Sequence, residues 1–416
     1  MTSFISSPER TVDACQNRLA RIDALLADAS HHIEFNGHLT NHNKHAVVAL
    51  AGLNASAERI EAYYRQYAHE TTYGFGLEPK RPSRVAVTQA NCLSLRGQRT
   101  SFSSLCEFFD AAIARDGLDA VLARWMPELL PGWAGAFTHA TIHLGWGLDY
   151  GHPRMITEGL AYMVFSWVSC HPQRQHDSER VAGANAIESL IAVVKMLEQD
   201  PAAFQAWAAQ IQRGDIAPEK AQCHPELKRS GLQYRVAMAL AQGHPLMDAT
   251  PGWLLNASLD DVWLGLHYCA AIIYLARPGD FVNLHLITSL HAMEEIASRL
   301  PMAQRRSVAR CFWQGMLGIL FSSGDVPDSA TLANLHARWR AAVDNADAPA
   351  VRAHWEETIQ AAIAEAEEHN PKLVYVAQKL WRRTGYRSVY RAAASFFTTT
   401  PALPPSFDEM DADSGI

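Results

Sequence analysis

Phe137-Thr138-His139-Ala140-Thr141-Ile142-His143-Leu144-Gly145-Trp146-Gly147-Leu148-Asp149 sets the character of this chain. Its two histidines are four residues apart, a spacing that stacks side chains on one helix face and lets two imidazoles reach one metal ion. Toward the N-terminus, His38-Leu39-Thr40-Asn41-His42-Asn43-Lys44-His45 repeats the theme with spacings of four and three. No GxGxxG or GxxxxGK[ST] run competes with these groups, and no residues are assigned to a nucleotide cofactor. The chemistry points to a metal centre rather than to a phosphate cradle.

The chain has 416 residues, 48% hydrophobic and 19% charged, which is ample for a large core. A net charge of −7 and a pI near 6.2 speak against a nucleic-acid partner. Seven cysteines (Cys15, Cys92, Cys106, Cys170, Cys223, Cys269 and Cys311) are scattered singly without a CxxC pair. That is the pattern of reduced core thiols, and a cytoplasmic protein is expected. The first ten residues lack the basic start and apolar run of a signal peptide. The most apolar stretches, Gly159 to Cys170 and Val262 to Ala276, carry Tyr162, Trp167, His267 and Tyr268 and are read as buried helices, not membrane spans.

Periodicity is helical almost throughout, so the expected class is all-α: one large multi-helix domain over 1–397 with the metal site in its core and minimal β structure. Ser7 and Pro8 open a helix to about Ala29, Asn41 caps a second that stops at Gly52, and Ser56 starts a third. Further helices are predicted at 104–115, 117–129, 136–149, 155–170, 183–198, 202–212, 230–241, 258–276, 280–299, 303–322, 329–343, 348–368 and 371–393. Arg84 to Thr88 is the best strand candidate. Residues 398–416, rich in proline and then in acid, are expected to form an extended or disordered tail.

Two isolated positions add to the histidine runs. His285 lies in the apolar helix Phe281-Val282-Asn283-Leu284-His285, where a buried imidazole needs a metal, a carboxylate or a carbonyl as partner. Lys372 follows Asn370 and Pro371 in a first helical turn, where the macrodipole disfavours an ammonium. Burial there would favour the neutral amine, which reacts with carbon dioxide to give a carbamate.

The blocks Asn41-His42-Asn43-Lys44-His45, Phe137 to Asp149, Leu284-His285-Leu286-Ile287-Thr288-Ser289 and His369-Asn370-Pro371-Lys372-Leu373-Val374 together resemble the questin-oxidase-like family across roughly residues 30 to 395. The resemblance implies oxygen-dependent opening of anthraquinone and related polyketide rings in secondary metabolism. It also implies non-haem iron, Fe(II), held by His42, His139, His143, His285 and a carbamylated Lys372. His45 and His369 stand behind these as supporting or substitute ligands. Imidazoles with one carboxylate-like anion suit iron better than calcium or magnesium.

The expected partners are a small aromatic substrate and dioxygen. His45 or His38 is a candidate base for a phenolic proton. Tyr63, Tyr64, Tyr67, Tyr73, Phe75 and Trp146 are the aromatic residues nearest the ligand blocks in sequence, and candidates for a flat apolar pocket. Two other readings stand beside this one. An NADPH-dependent Baeyer-Villiger-type monooxygenase would ordinarily carry a glycine-rich dinucleotide loop, and a non-enzymatic helical binding protein would use its histidines only for packing.

Overall fold

The computed structural model describes residues 8–178, 181, 183–214 and 231–403. Among them the N-terminal helices are α1 (Pro8–Ala27), α2 (Asn43–Gly52), α3 (Ala57–His69), α4 (Phe102–Asp116), α5 (Leu118–Leu129), α6 (His139–Tyr150) and α7 (Pro153–Phe165). Then come α8 (Ala186–Gln199), α9 (Pro201–Arg213), α10 (Leu232–Gln242), the short α11 (Pro245–Asp248) and α12 (Gly252–Asn256), and α13 (Leu259–Ala276). The chain continues through α14 (Phe281–Arg299), α15 (Met302–Ser322), α16 (Ser329–Trp339), α17 (Pro349–Ala364), α18 (His369–Arg383) and α19 (Ser388–Ala394). Described strand is confined to two-residue pairs: β1 (Glu34–Phe35) antiparallel to β2 (Leu39–Thr40), and β3 (His176–Asp177) parallel to β4 (Ala249–Thr250).

The protein is therefore all-α, as periodicity predicts, and its local signals act as expected at several ends. Ser56 Oγ accepts the Arg59 amide at the start of α3, whereas the N-cap of α2 is His42 and not the expected Asn41, whose Oδ1 accepts the Asn43 amide (3.0 Å) from one residue further out. Three differences have physical causes. Arg84–Thr88 has no strand, because the Arg84 and Val85 amides donate to Ser104 Oγ (3.0 and 3.1 Å) instead of to a ladder. The helix predicted at 371–393 is split between α18 and α19 at Gly385 and Tyr386, whose φ values of 66° and 69° end a right-handed helix. The small β1–β2 hairpin turns on Asn36 and Gly37, both at positive φ, a sequence signal for a tight turn.

Four helices position the site. α2 packs on α6 and α18, and α14 packs on the same two, so the four close into a ring. Glycine sets how tightly they close. A Cβ on Gly145 of α6 would lie 2.4 Å from Ala292 Cα of α14, and one on Gly159 of α7 would lie 2.4 Å from Leu144 Cα of α6. Contacts that short force helices apart, at a cost of about 1–3 kcal/mol.

Around this ring Trp133, Trp146 and Trp313 are fully buried. By length and composition α13 is apolar enough to cross a membrane, and 67% of it is buried inside the fold. Cys92, Cys106, Cys170, Cys269 and Cys311 are buried free thiols. Beyond α19, Thr398 is buried: its amide donates to Asn370 Oδ1 (2.9 Å) and its hydroxyl to the Gly279 carbonyl (2.8 Å). The Ser7 cap, Cys223 and tail residues 404–416 lie outside the described residues, as do the side chains of Val12 and Cys15.

Candidate metal centre

The ring brings helix N-termini together. His139 opens α6, His369 opens α18, His42 is the N-cap of α2, and His285 lies in the second turn of α14. Unpaired amides and dipole ends make such a place electropositive, which favours anions and opposes imidazolium. Burial works in the same direction. It drives the pKa values of His42, His139, His285 and His369 well below the ordinary histidine value, and the Lys372 charge lowers them further. All four imidazoles are neutral bases near pH 7.

Strain marks the approach to His139. Ala136, Phe137 and Thr138 are consecutive non-glycine residues with φ of 50°, 49° and 70°, a left-handed run costing about 1–3 kcal/mol per residue that persists only where the surroundings hold it. It turns His139 so that Nδ1 meets the Ala136 carbonyl at 2.6 Å.

The deciding feature is where each ring sends its proton. A carbonyl or carboxylate oxygen only accepts, so a ring nitrogen bonded to one carries the hydrogen. His139 Nδ1 donates to Ala136 O, His285 Nδ1 to Phe281 O (2.7 Å), and His369 Nδ1 to Glu367 Oε1 (2.6 Å). Each neutral ring is left with a bare Nε2. Those of His139 and His285 face each other at 3.0 Å, and that of His369 is buried without a protein partner among the described residues. The rings of His285 and His369 are 4.8 Å apart. One ligand nitrogen from each of His42, His139 and His369 lies within 4.8 Å of the others.

Converging lone pairs in a dry core are costly without a cation. Outward anchoring of the second ring nitrogen is also how metal-binding histidines are held. Two nitrogens about 2.1 Å from one ion and at right angles to it are about 3.0 Å apart. The donor set therefore fits a divalent transition metal.

Lys372 completes the cluster. Its Nζ is buried and donates to His42 Nδ1 at 2.8 Å. Burial lowers the Lys372 pKa against the pull of Glu368 and Glu367, and raises both carboxyl values. Glu367 Oε2 also accepts the His369 and Asn370 amides (2.7 and 3.2 Å), which caps α18.

His143 belongs to a different chain of contacts. His45 Nε2 meets His143 Nδ1 at 2.9 Å, and His143 Nε2 donates to Glu158 Oε2 at 3.2 Å. Glu158 also accepts from Lys44 Nζ and Arg154 Nε, both at 2.8 Å. Despite full burial, Lys44, His143 and Arg154 hold the Glu158 carboxyl below its ordinary value. Of the ligands expected from sequence, the fold brings His42, His139, His285 and Lys372 together with His369, and sets His143 one helical turn away beside His45.

A cavity of about 370 Å³ opens on the cluster, with His42 and His139 in its wall beside His38 and Tyr73. Phe137 and Phe281 supply its aromatic surface, stacked on each other with rings 12° from parallel. The other aromatic candidates lie elsewhere. Tyr63 stacks on Tyr67, whose hydroxyl accepts the His42 amide (3.3 Å). Tyr64 donates to Asp28 (2.8 Å), Trp146 is fully buried with Nε1 on the Thr288 carbonyl, and Phe75 is 39% exposed.

A family model described as questin oxidase-like matches residues 39–377, a span that contains every histidine of the cluster and Lys372. The chain belongs to the questin oxidase-like family. A Baeyer-Villiger monooxygenase, AacuH of Aspergillus aculeatus, is 27% identical to this questin oxidase-like chain over 135 residues, which are 31% of the chain and 28% of that protein.

Sequence reading missed Phe137, Phe281, Gln233, Arg235 and the end segment Pro401 to Leu403 as cavity residues. For the two phenylalanines a signal existed. Phe137 lies two residues before His139, and Phe281 lies one helical turn before His285. Nothing local marks the others, which arrive from distant parts of the chain.

Proposed function

We propose that this questin oxidase-like protein is a metal-dependent oxygenase that uses dioxygen to cleave or oxidise a polycyclic aromatic or quinone-type substrate in secondary metabolism. The supporting observation is the grouping of His42, His139 and His369, one ligand nitrogen of each within 4.8 Å of the others, with His285 Nε2 3.0 Å from His139 Nε2 and with His42 and His139 in the wall of an aromatic cavity. Those four histidines would hold iron(II), and Lys372, as its carbamate, would add an anionic ligand among the helix N-termini. Bound iron(II) supplies the electrons that let dioxygen react with an organic ring.

The chain's own residues do the rest. Phe137 and Phe281 offer flat apolar faces that orient a ring and exclude water from it. His38, which lines the cavity, would accept a phenolic proton from the substrate. His45 is fully buried behind His42 and bonded to His143, so its effect on the substrate runs through the cluster.

Protein purified after expression with added iron should hold about one metal ion per chain by elemental analysis, and His285→Ala or His369→Ala should remove it. Absence of metal from the wild-type protein sinks the reading. The name of the Aspergillus relative favours a second reading, an NADPH-dependent Baeyer-Villiger monooxygenase. Under it, turnover requires NADPH and survives metal removal.

A further inference from the structure

The cavity holds a cation the proposed oxygen chemistry does not use. Arg235, near the start of α10, is half-buried on the cavity wall. Its guanidinium has no ion pair or hydrogen bond among the described residues. Burial alone pulls its pKa down, with no carboxylate opposing. Of the described residues lining the cavity only Asp280 is acidic. Asp280 is engaged as the N-cap of α14, where Oδ1 accepts the Asn283 amide at 2.7 Å. Two of the histidines in its wall, His42 and His139, are held neutral by burial.

Gln233 adds a second open position. Its Nε2 donates to the His38 carbonyl (3.1 Å), while its buried Oε1 accepts nothing from the described residues. One wall thus carries a guanidinium and an acceptor that are unmatched among the described residues, and the rest of the lining is largely aromatic, imidazole and aliphatic.

We infer that the substrate is an aromatic compound bearing an oxyanion, a carboxylate or an ionised phenol, which pairs with Arg235, and a hydroxyl that donates to Gln233 Oε1. A guanidinium offers a planar fork of donors matched to such an oxyanion, and partial burial strengthens the pairing. A neutral hydrocarbon ring would leave the guanidinium desolvated without return. The inference deepens the proposed function, resting on the cavity as the aromatic-substrate site.

Quenching of tryptophan fluorescence by three probes of one ring size tests it. They are 2-naphthoate, a nitronaphthol that is ionised at neutral pH, and neutral 2-naphthol. At least one anion should bind the wild-type protein about 10-fold more tightly than 2-naphthol, and Arg235→Ala should erase that preference while holding 2-naphthol within about twofold. Arg235→Lys should recover part of it, which excludes a folding defect, and the anion that responds identifies carboxylate or phenolate as the source. Equal binding of all three probes by the wild type, or a preference that survives Arg235→Ala, overturns the inference. Binding needs no turnover, and metal content measured on the same preparations tests the oxygenase reading separately.

Discussion

In the cluster of His139, His285 and His369, each ring sends its Nδ1 proton outward to a fixed acceptor and turns a bare nitrogen inward. In the neighbouring chain of His45, His143 and Glu158, rings and carboxylate are joined in series, and Glu158 is further neutralised by Lys44 and Arg154. Both groups are buried and rich in histidine. Only the first has lone pairs that converge without a donor between them. What separates a metal-shaped site from a self-satisfied network is the direction of the protons, and the number of histidines says little about it.

Metal content separates the two groups most sharply. His285→Ala or His139→Ala should reduce bound metal from about one ion per chain to near zero, whereas His143→Ala should retain most of it by elemental analysis. Loss of metal from His143→Ala alone would reverse the comparison.

Stability should respond in the opposite place. Glu158→Ala leaves the buried Lys44 ammonium without its anion and should cost about 3–5 kcal/mol in denaturant unfolding, with metal stoichiometry kept in the folded fraction. A loss below about 1 kcal/mol would mean that the network is solvated and not an internal counter-charge.

The pH dependence of the metal-free protein sharpens the contrast further. An unfolded imidazole titrates near 6.5, and burial holds His42, His139, His285 and His369 well below that value. The unfolded state then binds more protons as pH falls. Stability from these groups is complete above 6.5 and is lost on acidification, by up to about 1.4 kcal/mol per pH unit for each imidazole. Glu367 and Glu368, raised by burial above 4.5, act in the opposite sense. Four imidazoles against two carboxyls leave a net loss between about pH 6.5 and 5. The unfolding midpoint should fall across that range, and by less in His369→Ala; a flat profile would mean that these rings are not neutral in the folded state.

The smallest expected effects lie at the cavity rim. Tyr73→Ala should raise KM by about 3- to 10-fold. Phe75→Ala, at an exposed position outside the cavity, should change stability by no more than about 0.5 kcal/mol and leave KM unaltered.

Much of this was legible before any coordinates. Apolar spacing of 3.6 residues marks helices wherever it is sustained, so α13, α14 and α15 begin and end within a residue of their predicted limits. That His285 is buried and needs a polar partner followed from residue type and periodicity, whereas its grouping with His139 was implied only by the family resemblance. The reversed positions of His143 and His369 were not legible. At one face of α6, His139 and His143 are equivalent in spacing, but the first meets α14 and α18 and the second meets Glu158 on α7. His369 is preceded by Glu367 and Glu368, and that pair of acids was the available clue to an anchored ring.

By itself the sequence determined an all-helical protein with neutral imidazoles held in its core, because helix periodicity and the cost of burying polar groups are local properties of residue type and order. Tertiary structure alone decided which nitrogens face one another and which cavity they serve. Each ring's orientation depends on an acceptor such as the Ala136 or Phe281 carbonyl or the Glu367 carboxylate, and packing of separate helices determines how those anchored rings meet. The same holds for Arg235, whose isolation depends on the absence of a described acidic partner, a relation between distant segments.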